Sequence, residues 1–207
     1  MTRLFGSSIC TPTPFVFVLV LLLMTVHSEP PLSSPRFKEV AKRVTPSLTN
    51  ELAAKKLNFG APIFIRVFKE SKELELWVQE TSGPFKLFKN YAIATYSGRL
   101  GPKIKEGDRQ APEGFYFVPP SMMNPQSSYH LSFNLGYPNA FDRAHGRTGS
   151  FLMVHGNRVS IGCFAMTDAR IEEIYTLADA ALRNGQPYFR VHCFPFRMTA
   201  KRLMNLT

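Results

Sequence analysis

The residues with the strongest chemical character lie in HGNRVSIGCFAM, His155 to Met166. Cys163 falls on a glycine-bounded turn, after the apolar run FLMV (Phe151 to Val154) and before the start of a helical pattern. Backbone N–H groups and the positive end of a helix beside a cysteine favour thiolate and can hold a developing oxyanion. His155, at the end of the predicted strand eight residues earlier, can reach across the turn, take the thiol proton and later return a proton to a leaving amine. No carboxylate lies in this loop to orient the imidazole. Two plainer readings stand beside a Cys–His dyad. A buried cysteine can be an inert small hydrophobe, and in an oxidising compartment Cys163 and Cys193 can form a disulfide. A metal site is not expected, because His145, His155, Cys163 and His192 lack the close pairing of zinc ligands, and nothing calls for a cofactor.

These groups need elements to hold them. The stripe Ile171, Ile174, Tyr175, Ala178, Ala181 and Leu182 predicts a long helix from about Asp168 to Asn184. Thr167 or Asp168 can cap its start, and Arg183, Gly185 and Pro187 mark its stop. Strands are predicted at Ile63 to Phe68, Leu74 to Gln79, Lys86 to Ser97, Phe115 to Val118, Tyr129 to Leu135, Phe151 to Val154 and Tyr188 to Phe194, with antiparallel pairing among the first three. The segment between Gly98 and Pro120 is rich in turns, and DRAHGRTG (Asp142 to Gly149) reads as a loop able to carry binding groups. Before the strands, Glu29 to Pro35 has linker composition. Pro46 is expected to divide the following segment into two short helices in a peripheral N-terminal arm.

The first 28 residues read as a signal peptide. A single charge, Arg3, precedes an apolar run from Phe15 to Val26 that is shorter than the ~20 residues of a membrane span, with cleavage expected after Ser28. An uncleaved anchor lipidated at Cys10 fits less well, because that cysteine precedes the apolar run. No stable membrane insertion is expected after cleavage. The chain carries 25 Lys and Arg against 15 Asp and Glu, which favours anionic partners. The basic residues are scattered and do not interleave with stacking aromatics, so nucleic acid is not the expected partner.

Two stretches, GDRQAPEGFY (Gly107 to Tyr116) and HGNRVSIGC (His155 to Cys163), resemble the YkuD-type L,D-transpeptidase domain. Its members carry a GD-x-x-TP-x-G-x-F segment and a histidine-glycine strand end followed by S-x-G-C. NAFDRAHGRTGSFLMVHG, SIGCFAMTD and FPFRMT (Phe194 to Thr199) extend the resemblance to the YafK-like branch, over about Ile63 to Thr199.

The resemblance implies a mainly β fold, a curved sheet sandwich with one long helix after the cysteine. After the signal peptide (1–28) and the linker and helical arm (29–60) read above, it sets a catalytic domain at 61–199 and leaves a C-terminal tail at 200–207. It also implies a periplasmic cysteine acyl-transfer enzyme of cell-wall biogenesis and cell shape, acting on diaminopimelate-containing stem peptides. Residue by residue, Cys163 matches the nucleophile and His155 the base, commonly oriented by a backbone carbonyl. Ser160 and Gly162 match the positions that shape the turn and oxyanion site. Arg143 and Arg147 are candidates for the free carboxylate of diaminopimelate or for solvent-facing arginines, and His145 for supporting them or lying on the loop surface. Where many members carry a histidine two residues before the cysteine and an arginine two residues after, this chain has Ile161 and Ala165. Three activities follow. The first is hydrolysis of the amide between murein and bound outer-membrane lipoprotein. The second is transpeptidation, forming cross-links or attaching lipoprotein, and the third a non-catalytic basic wall-binding module. Fast alkylation of Cys163 below the ordinary thiol pKa of ~8.5 is the expected mark of an enzyme.

Overall fold

The computed structural model describes residues 29–204; the predicted signal peptide and the last three residues of the tail lie outside them. Helix α1 (Pro35–Ala54) leads into β1 (Ile63–Phe68), β2 (Glu73–Gln79), β3 (Phe85–Ala92), β4 (Thr95–Tyr96) and β5 (Gly114–Val118). After a short 3-10 turn come β6 (Met123–Asn124), β7 (Ser132–Asn134), α2 (Ala140–Ala144), β8 (Met153–His155), β9 (Phe164–Ala165), α3 (Asp168–Arg183), β10 (Phe189–Phe194) and α4 (Ala200–Met204).

The fold is mainly β, with two mixed five-stranded sheets in the orders β3-β2-β1-β10-β5 and β4-β9-β8-β7-β6. β1, β2 and β3 pair antiparallel as expected, but β1 meets β10 in parallel, with Ile65 opposite Val191. The predicted strand Lys86 to Ser97 is two strands: β3 edges the first sheet, and β4 pairs with β9 in the second. One segment thereby joins the two layers. Helix α3 touches β1 of the first sheet and β7 and β8 of the second, and all six residues of its predicted stripe are buried.

The N-terminal arm departs from expectation. Pro46 does not divide it, and α1 is one helix of 20 residues. Phe37 and Val40 before the proline, and Leu48 and Leu52 after it, are all buried in the main core, and Phe37 packs edge-on against Tyr175 of α3 at 4.9 Å. An interior proline costs a helix ~3 kcal/mol, whereas each buried large apolar side chain returns ~1.5–3 kcal/mol, so burial on both sides of Pro46 outweighs the break. Ser34 caps the helix, accepting from the Phe37 N–H and donating to the Pro125 carbonyl.

At the start of α3 neither predicted cap acts as one. Thr167 makes no side-chain capping bond, and the Asp168 carboxylate accepts from the Asn157 N–H at 2.7 Å, tying the helix to the turn after β8.

Candidate active site

β8 and β9 run parallel, with Val154 opposite Phe164 and both side chains buried. Side chains alternate along a strand, so His155 and Cys163, each one residue from that pair, share the opposite face. Both line a cleft of about 620 Å³, together with Lys103, Glu106, Arg109, Tyr129, Phe151 and Ile161.

His155 is buried, and its Nδ1 lies 2.6 Å from the Gly156 carbonyl. A carbonyl only accepts, so Nδ1 carries the proton and Nε2 is left with its lone pair. The Tyr129 ring lies against the imidazole, centroids 4.7 Å apart. Burial holds the His155 pKa below the ordinary histidine value, against the contrary effect of the Gly156 hydrogen bond. The imidazole is therefore neutral at neutral pH.

Cys163 is half-buried; its Sγ accepts from the Met153 N–H at 3.4 Å and lies 3.6 Å from the Phe151 carbonyl. Burial pushes its thiol pKa up, and the Met153 hydrogen bond and the Lys103 charge offset this only in part. The preformed thiolate expected from the sequence is thus not favoured, because burial of the sulfur outweighs the groups that would stabilise its charge. The resting pair is a neutral thiol and a neutral imidazole. Such a pair activates the sulfur by passing its proton as the sulfur attacks.

The turn between these residues is braced from within. Ser160 Oγ donates to the Cys163 carbonyl at 2.7 Å and accepts from the Gly162 N–H at 3.3 Å. Gly162 has φ +128°, which favours glycine, and a Cβ there would lie 3.3 Å from the Leu152 side chain, a tight contact.

The arginines singled out in the sequence do not reach the cleft. Arg147 pairs with buried Asp142 at 2.7 Å, Arg143 donates to the Pro138 carbonyl, and His145 bonds the Phe141 carbonyl at 2.9 Å while its ring stacks on Phe141. Part of the predicted loop is helix α2, capped by Asn139 and Asp142, and these side chains are spent on holding it. The cleft's cationic groups instead come from the 101–113 segment. Asp108 accepts from Lys103 at 2.5 Å and from the N–H groups of Ile104, Lys105 and Gln110, and so fixes the loop bearing Glu106 and Arg109. The sequence placed Arg109 inside the GDRQAPEG motif but gave no sign that it faces the cysteine. Cys163 and Cys193 are free thiols, which removes the disulfide reading; Cys193 is buried on β10. Among the described residues no group of three or more His, Cys, Asp or Glu is placed to hold a metal.

A family model described as the YkuD L,D-transpeptidase catalytic domain matches residues 63–187. The chain belongs to the YkuD family. It is 48% identical over 140 residues to YafK of Escherichia coli (strain K12), provisionally named an L,D-transpeptidase, and equally to YafK of strain O157:H7. The match takes in 68% of this chain and 56% of each YafK, so the chain spans about half the length of these curated relatives. Among solved structures, it is similar to the helical cell shape determining protein Pgp2 from Campylobacter jejuni, with 22% identity, a TM-score of 0.49, and coverage of 70% of this chain and 54% of Pgp2. Bd1075 of Bdellovibrio bacteriovorus is similar at 24% identity and TM-score 0.46, covering 66% of this chain and 49% of that protein. Within the matched span, His155, Ser160 and Cys163 line the cleft, and Gly162 lies on the turn that Ser160 braces.

Proposed function

We propose that this protein is an exported, periplasmic cysteine acyl-transfer enzyme. Its principal reaction in this reading is hydrolysis of the amide joining diaminopimelate-containing murein to covalently bound outer-membrane lipoprotein. The signal peptide at 1–28 and the catalytic domain at 61–199 are part of the same reading. The observation that carries it is the His155 imidazole, its Nδ1 2.6 Å from the Gly156 carbonyl, lining one cleft with the Cys163 thiol.

The chemistry follows from that pair. Cys163 Sγ attacks the amide carbonyl at the L-centre of the diaminopimelyl residue while His155 Nε2 takes the thiol proton. The oxyanion is held by the backbone N–H at Cys163, on the turn that Ser160 fixes by taking up the Gly162 N–H. Its collapse breaks the C–N bond, and the His155 proton leaves on the lipoprotein's amine. Water then attacks the thioester, giving its proton to His155, and the C–S bond breaks to yield a carboxylate and the free thiol. Hydrolysis over transfer is supported by the apolar lining of the cleft near Cys163. There Ile161, 78% exposed, Val159 and Phe151 offer no polar group to seat a second amine.

The test is to incubate sacculi carrying bound lipoprotein with the mature protein and with its Cys163→Ala variant, and to identify released and retained muropeptides by mass spectrometry. Lipoprotein released by the wild type alone is the expected result. New diaminopimelate cross-links without release would make it a transpeptidase, and no change in either digest a wall-binding module.

A further inference from the structure

The loop over the cleft uses three of its charged side chains to hold itself in place. Lys103 is spent on Asp108 and the Lys105 carbonyl, Asp108 on three backbone N–H groups, and Glu113 on Lys69 and the Gly101 N–H. Lys105, Glu106 and Arg109 are left over, and of these Glu106 and Arg109 line the cleft. Neither the Glu106 carboxylate nor the Arg109 guanidinium has a hydrogen-bond or ion-pair partner among the described residues, they do not pair with each other, and both line the cleft that holds Cys163. Arg109 is held there at some conformational cost. Its φ is +55°, a left-handed value uncommon outside glycine, with its carbonyl accepting from Ser97 Oγ at 2.7 Å. A left-handed backbone at a residue whose guanidinium has no partner in its own protein points to a ligand.

We propose that Glu106 and Arg109 form a subsite for a zwitterionic amino-acid end. Arg109 takes the carboxylate through its planar guanidinium and Glu106 the ammonium. This rests on the reading given above as the proposed function: the ligand is the free D-centre of the diaminopimelyl residue whose L-carbonyl meets Cys163. The two charges, of opposite sign and three residues apart on a braced loop, then select diaminopimelate over analogues that lack either group. A missing partner leaves one subsite charge without its counter-ion, which is how a site built on polar groups discriminates.

The experiment uses three stem-peptide amides: one with meso-diaminopimelate, one with L-lysine, which keeps the ammonium and lacks the carboxylate, and one with L-2-aminopimelate, which keeps the carboxylate and lacks the ammonium. KM, kcat and Cys163 acylation by intact mass are measured for the wild type, Arg109→Gln, Glu106→Gln, and Lys105→Gln as a control on the same loop. The wild type is expected to show KM values about tenfold higher for both analogues. Arg109→Gln is expected to raise KM about tenfold for diaminopimelate while leaving the lysyl peptide unchanged, and Glu106→Gln to do the same with the aminopimelyl peptide as the unaffected one. Lys105→Gln should match the wild type. Equal KM for all three peptides, or a rise common to all three in either variant, would overturn the subsite. Calorimetric binding of the same peptides to Cys163→Ala separates this from the acyl-transfer reading. If wild-type Cys163 is never acylated, the acyl-transfer reading fails, and the same ordering of Kd still upholds the subsite while equal Kd values sink it.

Discussion

At the scale of single residues, the neutral Cys163–His155 pair sets an unusual pH signature. Burial lowers the His155 pKa, so the base is already unprotonated at neutral pH, and the acid limb of kcat/KM should fall below the ordinary histidine value of ~6.5. Burial raises the Cys163 pKa, so iodoacetamide should alkylate the free enzyme slowly at pH 7 and faster only above the ordinary thiol range of ~8.5. This reverses the alkylation test that sequence placement suggests, since slow alkylation is the expected behaviour of the proposed dyad. An acid limb at or above the ordinary histidine value would show that burial does not depress His155, and rapid alkylation at neutral pH would show that an ion pair is preformed. Gly162 invites a second test. Alanine there must hold φ +128° and press on Leu152, a strain of ~1–3 kcal/mol, and because that strain falls on the nucleophile's own turn, acylation should suffer more than folding. Comparing the thermal midpoint of Gly162→Ala with its acylation rate checks this: a large loss of midpoint with a normal rate per folded molecule would refute it.

At the scale of elements, the 101–113 segment depends on a buried ion pair. Lys69, at the end of β1, is fully buried; its Nζ meets Glu113 at 2.9 Å and the carbonyls of Gly101 and Ala111. Burial lowers its pKa, and the Glu113 contact offsets this only in part. Lys69→Met leaves the Glu113 carboxylate without its counter-ion, so stability should fall by about 2–4 kcal/mol in urea unfolding, and the loosened loop should raise KM. An unchanged urea midpoint would mean that the loop is held by Asp108 alone. Elements of this kind were only partly legible in the sequence. The stripe of α3 and the alternation of β1 and β2 gave those elements directly, because each buries one face on its own period. Pro46 misled because a local rule was outweighed by tertiary burial of Leu48 and Leu52, which lie beyond it. The split of Lys86 to Ser97 between two sheets depends on partners far along the chain, and no window of sequence contains them. The site divides in the same way. Cys163, His155, Ser160 and Gly162 lie within one turn and could be read together. Arg109 and Glu106 reach the cleft only through the fold, and Arg143 and Arg147 were attractive for their chemistry until Asp142 and Pro138 were seen to occupy them.

At the scale of the whole molecule, carboxylates tie the C-terminal segment to the first sheet and make stability depend on pH. Arg197, beyond β10, donates to Glu73 and Glu75 of β2 at 2.9 and 2.6 Å, and Arg66 of β1 donates to Glu75 at 2.8 Å. Ser71, with Asn90 and Arg197, lowers the Glu73 pKa; burial would raise Glu75, but hydrogen bonds from Arg197, Arg66 and Trp77 outweigh it and leave it lowered. Asp108 is lowered in the same way by Lys103 and backbone N–H groups acting against burial, and Lys89 lowers Glu51. A carboxylate whose folded pKa lies below its unfolded value contributes stability that is fully present above about pH 4 and lost as pH falls through the folded pKa. Asp179 acts in the opposite sense, since burial raises it and the fold gains as it takes up a proton. Four lowered carboxylates against one raised make the net effect a loss of stability in acid. Arg197→Gln should therefore cost about 1–3 kcal/mol at pH 7, its half-exposed guanidinium keeping the figure below that of a fully buried pair. That deficit should shrink as pH falls below about 4, where the carboxylates it served become protonated in both proteins. Thermal melts of the two proteins at neutral and low pH measure the gap directly. A gap of constant size would assign Arg197 to packing on the Phe68 ring, 4.2 Å from its guanidinium, and not to charge.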